Sequence, residues 1–425
     1  MTSSDFTRRD FVKATSLAAA GVALTPLRSI ASARGADTVK VGVIGCGGRG
    51  TGAAADCLTA DPSVKIVAMG DLFADRVKGS RGELSKMEEF KGRVDVPDDR
   101  IFTGFDAYQK VIASGVDLVI LATCPHFRPI HFEAAIKAGK HVFFEKPVAV
   151  DPTGIRKVLA AAEIADAKKL CVVAGTQRRH STEYLAAMQR IKAGDIGKVV
   201  AARCYWNQGG LWVHNRKANE SDVEWQIRNW LYFTWLSGDH ICEQHVHNLD
   251  VMNWAIGSHP LSASGMGGRQ VRTGAEYGHI FDHFAIEYQY PDNVHVLSMC
   301  RQIDGTDGKV EEDVQGTEGR LHTRPGFAEI TGKKPWKFDG QNPTPYVQEH
   351  VDLLAAIRGG KHINEAKQVA ESTLTAIMGR MAAYTGKTVT WEQALKSKLD
   401  LSPPSYELGA LPVPAVAVPG RTALE

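Results

Sequence analysis

From Val39 to Pro147 short β-branched runs alternate with stretches of helical character, a pattern that predicts a parallel sheet with crossover helices. The runs are Val39 to Ile44, Val64 to Met69, Asp117 to Thr123 and His141 to Phe144, each bounded by Gly, Asp or Pro. A further run, Leu170 to Ala174, closes this first region. Such alternation is an α/β, nucleotide-binding architecture. Beyond about Gly175 the period shortens to two. Val199 to Trp206, His283 to Tyr290 and Val294 to Met299 read as half-buried antiparallel strands, so a second, sheet-based domain begins there. Asn364 predicts the cap of a helix reaching about Tyr384, with Val369, Leu374, Ile377, Met378 and Met381 on one side and Gly386 past its end. The Pro- and Val-rich stretch from about residue 402 reads as an extended tail.

A chain of 425 residues, 44% hydrophobic, has room for two domains. Its formal net charge of +2 carries no long like-charged block, which argues against a nucleic-acid or anionic-membrane surface and for a small substrate of little charge. Thr7-Arg8-Arg9-Asp10-Phe11-Val12-Lys13, the apolar stretch Ala14 to Leu24 and Ala31-Ser32-Ala33 have the layout of a signal peptide over residues 1–33, with paired arginines of the twin-arginine type. About eleven apolar residues fall short of the ~20 that a membrane span requires, so a stable anchor is not expected. The expected location is periplasmic or secreted, reached in the folded state. Seven scattered cysteines without C-x-x-C spacing suggest neither a disulfide framework nor a zinc ribbon, and read as small buried apolar residues.

Gly45-Cys46-Gly47-Gly48-Arg49-Gly50 follows the first run directly. Glycine there lets the backbone turn tightly and approach a pyrophosphate at a helix N-terminus. Thr51 to Leu58 continues as helix, and Asp71, some twenty residues on, can accept hydrogen bonds from a ribose 2′-hydroxyl and would repel a 2′-phosphate. This favours NAD over NADP, with Arg49 or Arg76 able to reverse the preference. A glycine turn without ligand is the plainer alternative. The expected cofactor contacts are Gly45, Gly47, Gly48, Arg49, Gly50 and Asp71, with Thr123, Pro125, His126, Glu145 and Lys146 after the later runs.

Glu145-Lys146-Pro147 places Lys146 at the carboxyl edge of the sheet, where a lysine can orient or polarise a substrate hydroxyl; an ordinary surface lysine is the alternative. The stretch from Asp239 to Asp250 is dense in polar groups. On one helix Glu243 and His247 would share a face, the carboxylate fixing the imidazole's tautomer, so that the pair serves as the general base of an alcohol oxidation. Structural roles for His240 and His245 remain open, as does a zinc site of His240, Glu243 and His247. No metal is assigned, because no second ligand cluster stands out and nicotinamide chemistry does not require one. Tyr205, Trp206, Trp212, Trp225, Trp230, Tyr232, Phe233 and Trp235 lie close together, beside Asn207, Gln208, His214 and Asn229. They suit stacking on a sugar ring, although core filling explains several equally well. Gln177, Arg178, Arg179 and His180 add hydrogen-bonding groups to the same expected cleft.

Together, the glycine fingerprint, Glu145-Lys146-Pro147, Gln177-Arg178-Arg179, Gly194-Asp195-Ile196-Gly197-Lys198 and His247-Asn248-Leu249-Asp250 resemble the Gfo/Idh/MocA family of oxidoreductases. The resemblance covers nearly all of the chain beyond the signal. It implies a Rossmann domain, residues 34–175, followed by an α+β domain, residues 176–425, with a large open antiparallel sheet through which homo-oligomers form. It also implies that Lys146 lies beside the nicotinamide and that His247 transfers the proton. Members commonly carry Asp and Gly where this chain has Glu243 and His245, so His245 is expected to add a second imidazole near the reacting carbon, with Arg178 and Trp206 as further substrate contacts. A secreted subgroup with such departures is thought to act on glycosides, oxidising C3. The readings are thus an NAD-dependent sugar or glycoside dehydrogenase with tightly held cofactor, a redox-assisted glycosidase, or a carbohydrate-binding protein without catalysis.

Overall fold

The computed structural model describes residues 38–359 and 361–424; the expected signal peptide lies outside the described residues. Six parallel strands form the first sheet: β1 (Val39–Ile44), β2 (Val64–Asp71), β3 (Ile101–Thr103), β4 (Leu118–Leu121), β5 (His141–Phe144) and β6 (Val172–Ala174). Their order, β3-β2-β1-β4-β5-β6, is that of a doubly wound dinucleotide-binding sheet. The crossovers include α1 (Gly48–Ala60), α2 (Ala74–Lys86), α3 (Ala107–Ala113), α4 (Arg128–Lys137) and α5 (Pro152–Lys168). Every residue of β4 is buried, as a strand covered on both faces requires.

After α6 (Thr182–Lys192) comes the long strand β7 (Val199–Gln208), and then a run of short helices: α7 (Asp222–Arg228), α8 (Thr234–Ser237), α9 (His240–Glu243) and α10 (Val246–Ile256). The second sheet is completed by β8 (Ser262–Gly268), β9 (His283–Tyr290), β10 (Val294–Gln302), β11 (Lys309–Gly316), β12 (Gly319–Arg324), β13 (Phe327–Gly332), β14 (Trp336–Lys337) and β15 (Val389–Thr390). It is not wholly antiparallel as expected. β7 lies beside β10 and runs parallel to it in the middle of an otherwise antiparallel sheet. The helices between β7 and β8 return the chain to the same end of the sheet, which is what a parallel neighbour needs.

Three late helices, α11 (Pro345–Gly359), α12 (Ala366–Thr385) and α13 (Trp391–Lys396), tie the halves together. Leu353, Leu354 and Ala356 of α11 pack into the core that holds Val41, Val43 and Ala53, so the first half borrows a helix from the end of the chain. Asn364 Oδ1 accepts the Ala366 N–H at 3.1 Å at the start of α12, and Gly386 ends it at φ +71°. This helix is buried on nearly every side, not on one face, because it sits between α5, α10 and the second sheet. Val369, Leu374, Ile377 and Met378 are fully buried, each contributing about 2 kcal/mol of apolar burial. Among the described residues no regular element follows α13; the tail is held by side chains and by backbone hydrogen bonds such as Gly420 N–H to Thr385 O at 2.9 Å. All seven cysteines are free and, Cys124 apart, buried. No helix of the described residues is long and apolar enough to cross a membrane.

Candidate active site

Gly45 leaves β1 at φ +93°, and a Cβ there would come within 2.4 Å of the Thr123 nitrogen. A Cβ on Gly50 would meet Gly45 O at 1.8 Å, so Gly50 serves close helix–strand packing and lies beneath the loop. Gly47 and Gly48 have nothing within 4 Å of an added Cβ: they form an open cradle at the uncapped start of α1. First-turn N–H groups without a side-chain cap are an anion site. Asp71 Oδ2 accepts the Cys46 N–H at 2.7 Å and Oδ1 the Phe73 N–H at 3.0 Å. Two of the carboxylate's roughly four lone-pair positions are thereby used, and the rest can serve a ribose diol. The donor set therefore fits a dinucleotide.

Gly45, Gly47, Gly48, Arg49, Asp71, Thr123, Glu145 and Lys146 border one cleft of about 620 Å³ together with Glu243, His247 and Trp206. Pro125 and His126 lie outside its lining. The His126 ring is turned to the Tyr406 hydroxyl, 2.9 Å from Nε2, and edge-on to Trp235. Arg49 borders the cleft, but its guanidinium is already committed: to Glu145 at 2.5 Å, Asp56 at 3.3 Å and Glu349 at 3.5 Å, and it lies 5.1 Å over Tyr346. Burial disfavours its charge, yet Glu145, with Glu349 and Asp56, outweighs burial and raises its pKa. Burial, reinforced by Glu145, pushes the Glu349 carboxyl well up. The local sequence pattern carries no signal for Glu349 and Tyr346, which α11 brings to Arg49 from far along the chain.

Lys146 Nζ donates to Glu243 O at 2.6 Å and to Glu243 Oε1 at 3.2 Å. Glu243 is thus the partner of Lys146, not of His247. The single helix expected from 239 to 250 is broken: α9 ends at Glu243, Gln244 takes φ −110°, and α10 starts at Val246. The i,i+4 relation between Glu243 and His247 is lost with it. His247 borders the cleft at 5% exposure, 5.7 Å from and stacked on Trp206. Its Nδ1 is buried without a partner, which leaves Nε2 for the cleft. Burial, then the charge of Lys146, hold its pKa well below the usual imidazole value, so the ring is neutral.

Two expected substrate contacts lie elsewhere. His245 is fully buried, with Nε2 at 2.7 Å from Ser298 Oγ and 3.7 Å from Cys204 Sγ, because two positions from His247 is the opposite side of the turn. Burial pushes its pKa down to about 3. Arg178 is buried against Glu312, with its guanidinium 5.6 Å over the Trp206 ring, so it backs the indole instead of meeting a ligand. Glu312 also accepts from Asn248 at 2.5 Å and Tyr184 at 3.0 Å. Arg179 forms a two-pronged pair with Asp250, and of that segment only Gln177 reaches the cleft. His240 faces Asp239 and Phe284, so it cannot join Glu243 and His247; among the described residues no three metal-ligating side chains converge. The aromatic set divides. Trp206, Trp212 and Trp230 line the cleft, whereas Trp225, Tyr232, Phe233 and Trp235 form a separate core.

Residues 39–175 match the profile of an oxidoreductase family with an NAD-binding Rossmann fold, and residues 184–322 that of the GFO/IDH/MocA C-terminal domain. The inositol 2-dehydrogenase of Klebsiella pneumoniae (strain 342) is 28% identical over 223 residues, 52% of this chain and 55% of that protein. The 2,7-anhydro-N-acetylneuraminate hydratase of Escherichia coli (strain K12) is 28% identical over 225 residues, 48% of this chain and 54% of the relative. The chain thus spans about half the length of these curated relatives. The fold is shared with scyllo-inositol dehydrogenase from Lactobacillus casei, solved with NAD(H) and scyllo-inositol: TM-score 0.64, 19% identity, 84% of this chain and 100% of the other.

Proposed function

Because this chain belongs to the Gfo/Idh/MocA family of oxidoreductases, we propose that it is an NAD-dependent dehydrogenase acting on a hydroxyl of a sugar, polyol or glycoside. One observation carries this reading: Lys146, pinned by Glu243, and neutral His247 flank the same cleft as the open glycine cradle. Bound NAD supplies the hydride acceptor. Lys146 Nζ, with two of its three hydrogens engaged by Glu243, has one left to donate to the substrate oxygen. His247 Nε2 accepts the hydroxyl proton, which a neutral imidazole can do and an imidazolium cannot. Trp206, fixed by its contacts with Arg178 and His247, borders the cleft and offers apolar surface to the ring's C–H groups. Asp71 favours NAD, and Arg49, spent on three carboxylates, is poorly placed to reverse that preference for a 2′-phosphate.

The twin-arginine-like start extends the reading: the protein is exported folded to the periplasm or beyond, carrying tightly bound NAD with it. Homo-oligomerisation through the second sheet belongs to the same proposal. The first test is to denature protein purified from an export-competent host and identify any nicotinamide released. Stoichiometric NAD or NADH supports the reading; protein that carries none and binds none overturns it. A screen of inositols, aldoses and glycosides for NADH formation then names the substrate, with a keto sugar, at C3 in the finer version, as product.

The hydratase among the relatives favours one second reading, a redox-assisted glycosidase in which the hydride returns and no net oxidation occurs. Glycoside cleavage without accumulating NADH selects it; a stable keto sugar rejects it.

A further inference from the structure

A small apolar pocket of about 80 Å³ continues the cleft past Asp71, between the ends of β2 and β4, with Leu72, Phe105 and Cys124 among its walls. Of all its lining residues only Ile227 comes from beyond residue 175. Ile227 borders the main cleft as well, as does its neighbour Arg228. Arg228 reaches back to the first half. Its Nη1 and Nη2 donate to the two oxygens of Asp75 at 3.1 and 3.2 Å, and its guanidinium lies 3.8 Å over the ring of Phe73, another lining residue. Asp75 stands in the first turn of α2, where a carboxylate is favoured by the helix N-terminus.

The helix that carries these two residues is fastened from the other side. Ser221 Oγ caps α7 by accepting the Glu224 N–H at 3.2 Å, and Glu224 in turn accepts from Arg228 Nε at 3.1 Å. The tail then binds it three times: the Val223 N–H donates to Gly409 O at 3.1 Å, the Leu411 N–H to Asp222 Oδ2 at 3.0 Å, and Gln226 Nε2 to Leu411 O at 2.7 Å. Earlier the same tail is tied to the first half, where the Leu401 N–H donates to Asp151 Oδ2 at 2.9 Å and the Tyr406 hydroxyl meets His126. A helix anchored at its back and bridged at its front across a ligand cleft is a lid.

We infer that Ile227 and Arg228 are cofactor-site residues that close the adenosine end of the dinucleotide cleft, with Arg228 latching onto Asp75 and Phe73 so that NAD enters and leaves only when the latch opens. This rests on the dinucleotide reading of the cleft. The latch is a two-pronged ion pair with an aromatic contact, partly open to water, so its loss costs little stability and shows in rates.

The experiment follows NADH by fluorescence in stopped flow on the full chain, unaltered and as Arg228→Ala, Asp75→Asn, Arg228→Lys and the double variant Arg228→Ala/Asp75→Asn. Both entry and release are expected to rise, by roughly three- to tenfold in Arg228→Ala and Asp75→Asn, with Kd moving by less than either rate. Arg228→Lys should fall between, since it keeps the charge and loses the fork. The double variant should be no faster than the faster single one. Unchanged rates in Asp75→Asn, whose side chain is 62% exposed and so tolerates the change, or faster release without faster entry, overturn the latch while leaving the cofactor site standing. Failure of the unaltered protein to bind NADH overturns the dinucleotide reading, and the latch with it.

Discussion

Gly45 and Lys146 border the same cleft, but they are held there by different means. On the dinucleotide side the shape is set by backbone: Gly45 and Gly50 have no room for a Cβ, Gly47 and Gly48 leave their faces open, and all four lie within six residues. On the substrate side Lys146 and Trp206 depend on partners distant in sequence. Lys146 is pinned by Glu243, and Trp206 is backed by Arg178, which needs Glu312. The first wall takes its shape chiefly from the backbone of one loop and the strand ends beside it. On the second wall the Lys146–Glu243 contact exists only once the two halves have docked, whereas Trp206, Arg178 and Glu312 all come from the second half.

Four substitutions separate the two walls. His247→Ala should lower kcat/KM by about 100- to 10,000-fold, the range for a lost general base, with NADH affinity retained; steady-state kinetics beside an NADH titration checks both. Glu312→Ala should cost about 3–5 kcal/mol of stability in a denaturant titration, because it strands Arg178 as an unpaired buried charge. Gly50→Val should weaken NADH at least about 100-fold, roughly 2.7 kcal/mol, since its side chain collides with Gly45 O, and the displaced backbone should also cost about 1–3 kcal/mol of stability. Trp212→Ala, at a residue 51% exposed on the cleft rim, should raise KM by about tenfold or less and leave kcat nearly unchanged, which substrate-dependence curves resolve.

Acid sharpens the contrast between the folded chain and its unfolded form. Burial pushes His126 and His279 down to about 4 and His131, His245 and His350 down to about 3. Below about pH 6.5 the unfolded chain takes up protons that these folded imidazoles refuse, so stability falls as pH drops from about 6.5 toward 4, by at most about 1.4 kcal/mol per pH unit for each. His180 works the other way. Asp352 and Glu365 overcome burial and raise it to about 10, so its contribution is full below about 6.5 and lost as pH rises toward 10. Chemical denaturation between pH 4 and 9 should show a steeper acid limb than alkaline limb.

Much of this was legible along the chain where the cause is local. β1, β5 and β9 begin and end where period and punctuation place them, and the fingerprint glycines sit where their sterics demand. Lys146 and His247 reach the expected cleft. What escaped is what depends on tertiary pairing. Nothing at Gln244 or His245 marks a helix break, no Gly or Pro, yet His245 turns inward to Ser298 and the helix restarts. Arg178 looks like a ligand-binding arginine until Glu312, 134 residues on, claims it. The parallel pairing of β7 with β10 has no period of its own, and α11 carries Glu349 to the fingerprint loop from a position 300 residues after Arg49.

That last placement governs when the protein can finish folding. Val41, Ala53 and Ala54 belong to the same buried cluster as Leu353 and Leu354. A chain made from its N-terminus therefore shows this apolar patch to its surroundings until some three hundred further residues have left the ribosome. The first half is a waiting partner, and the moment α11 docks marks the end of its vulnerability to aggregation and proteolysis.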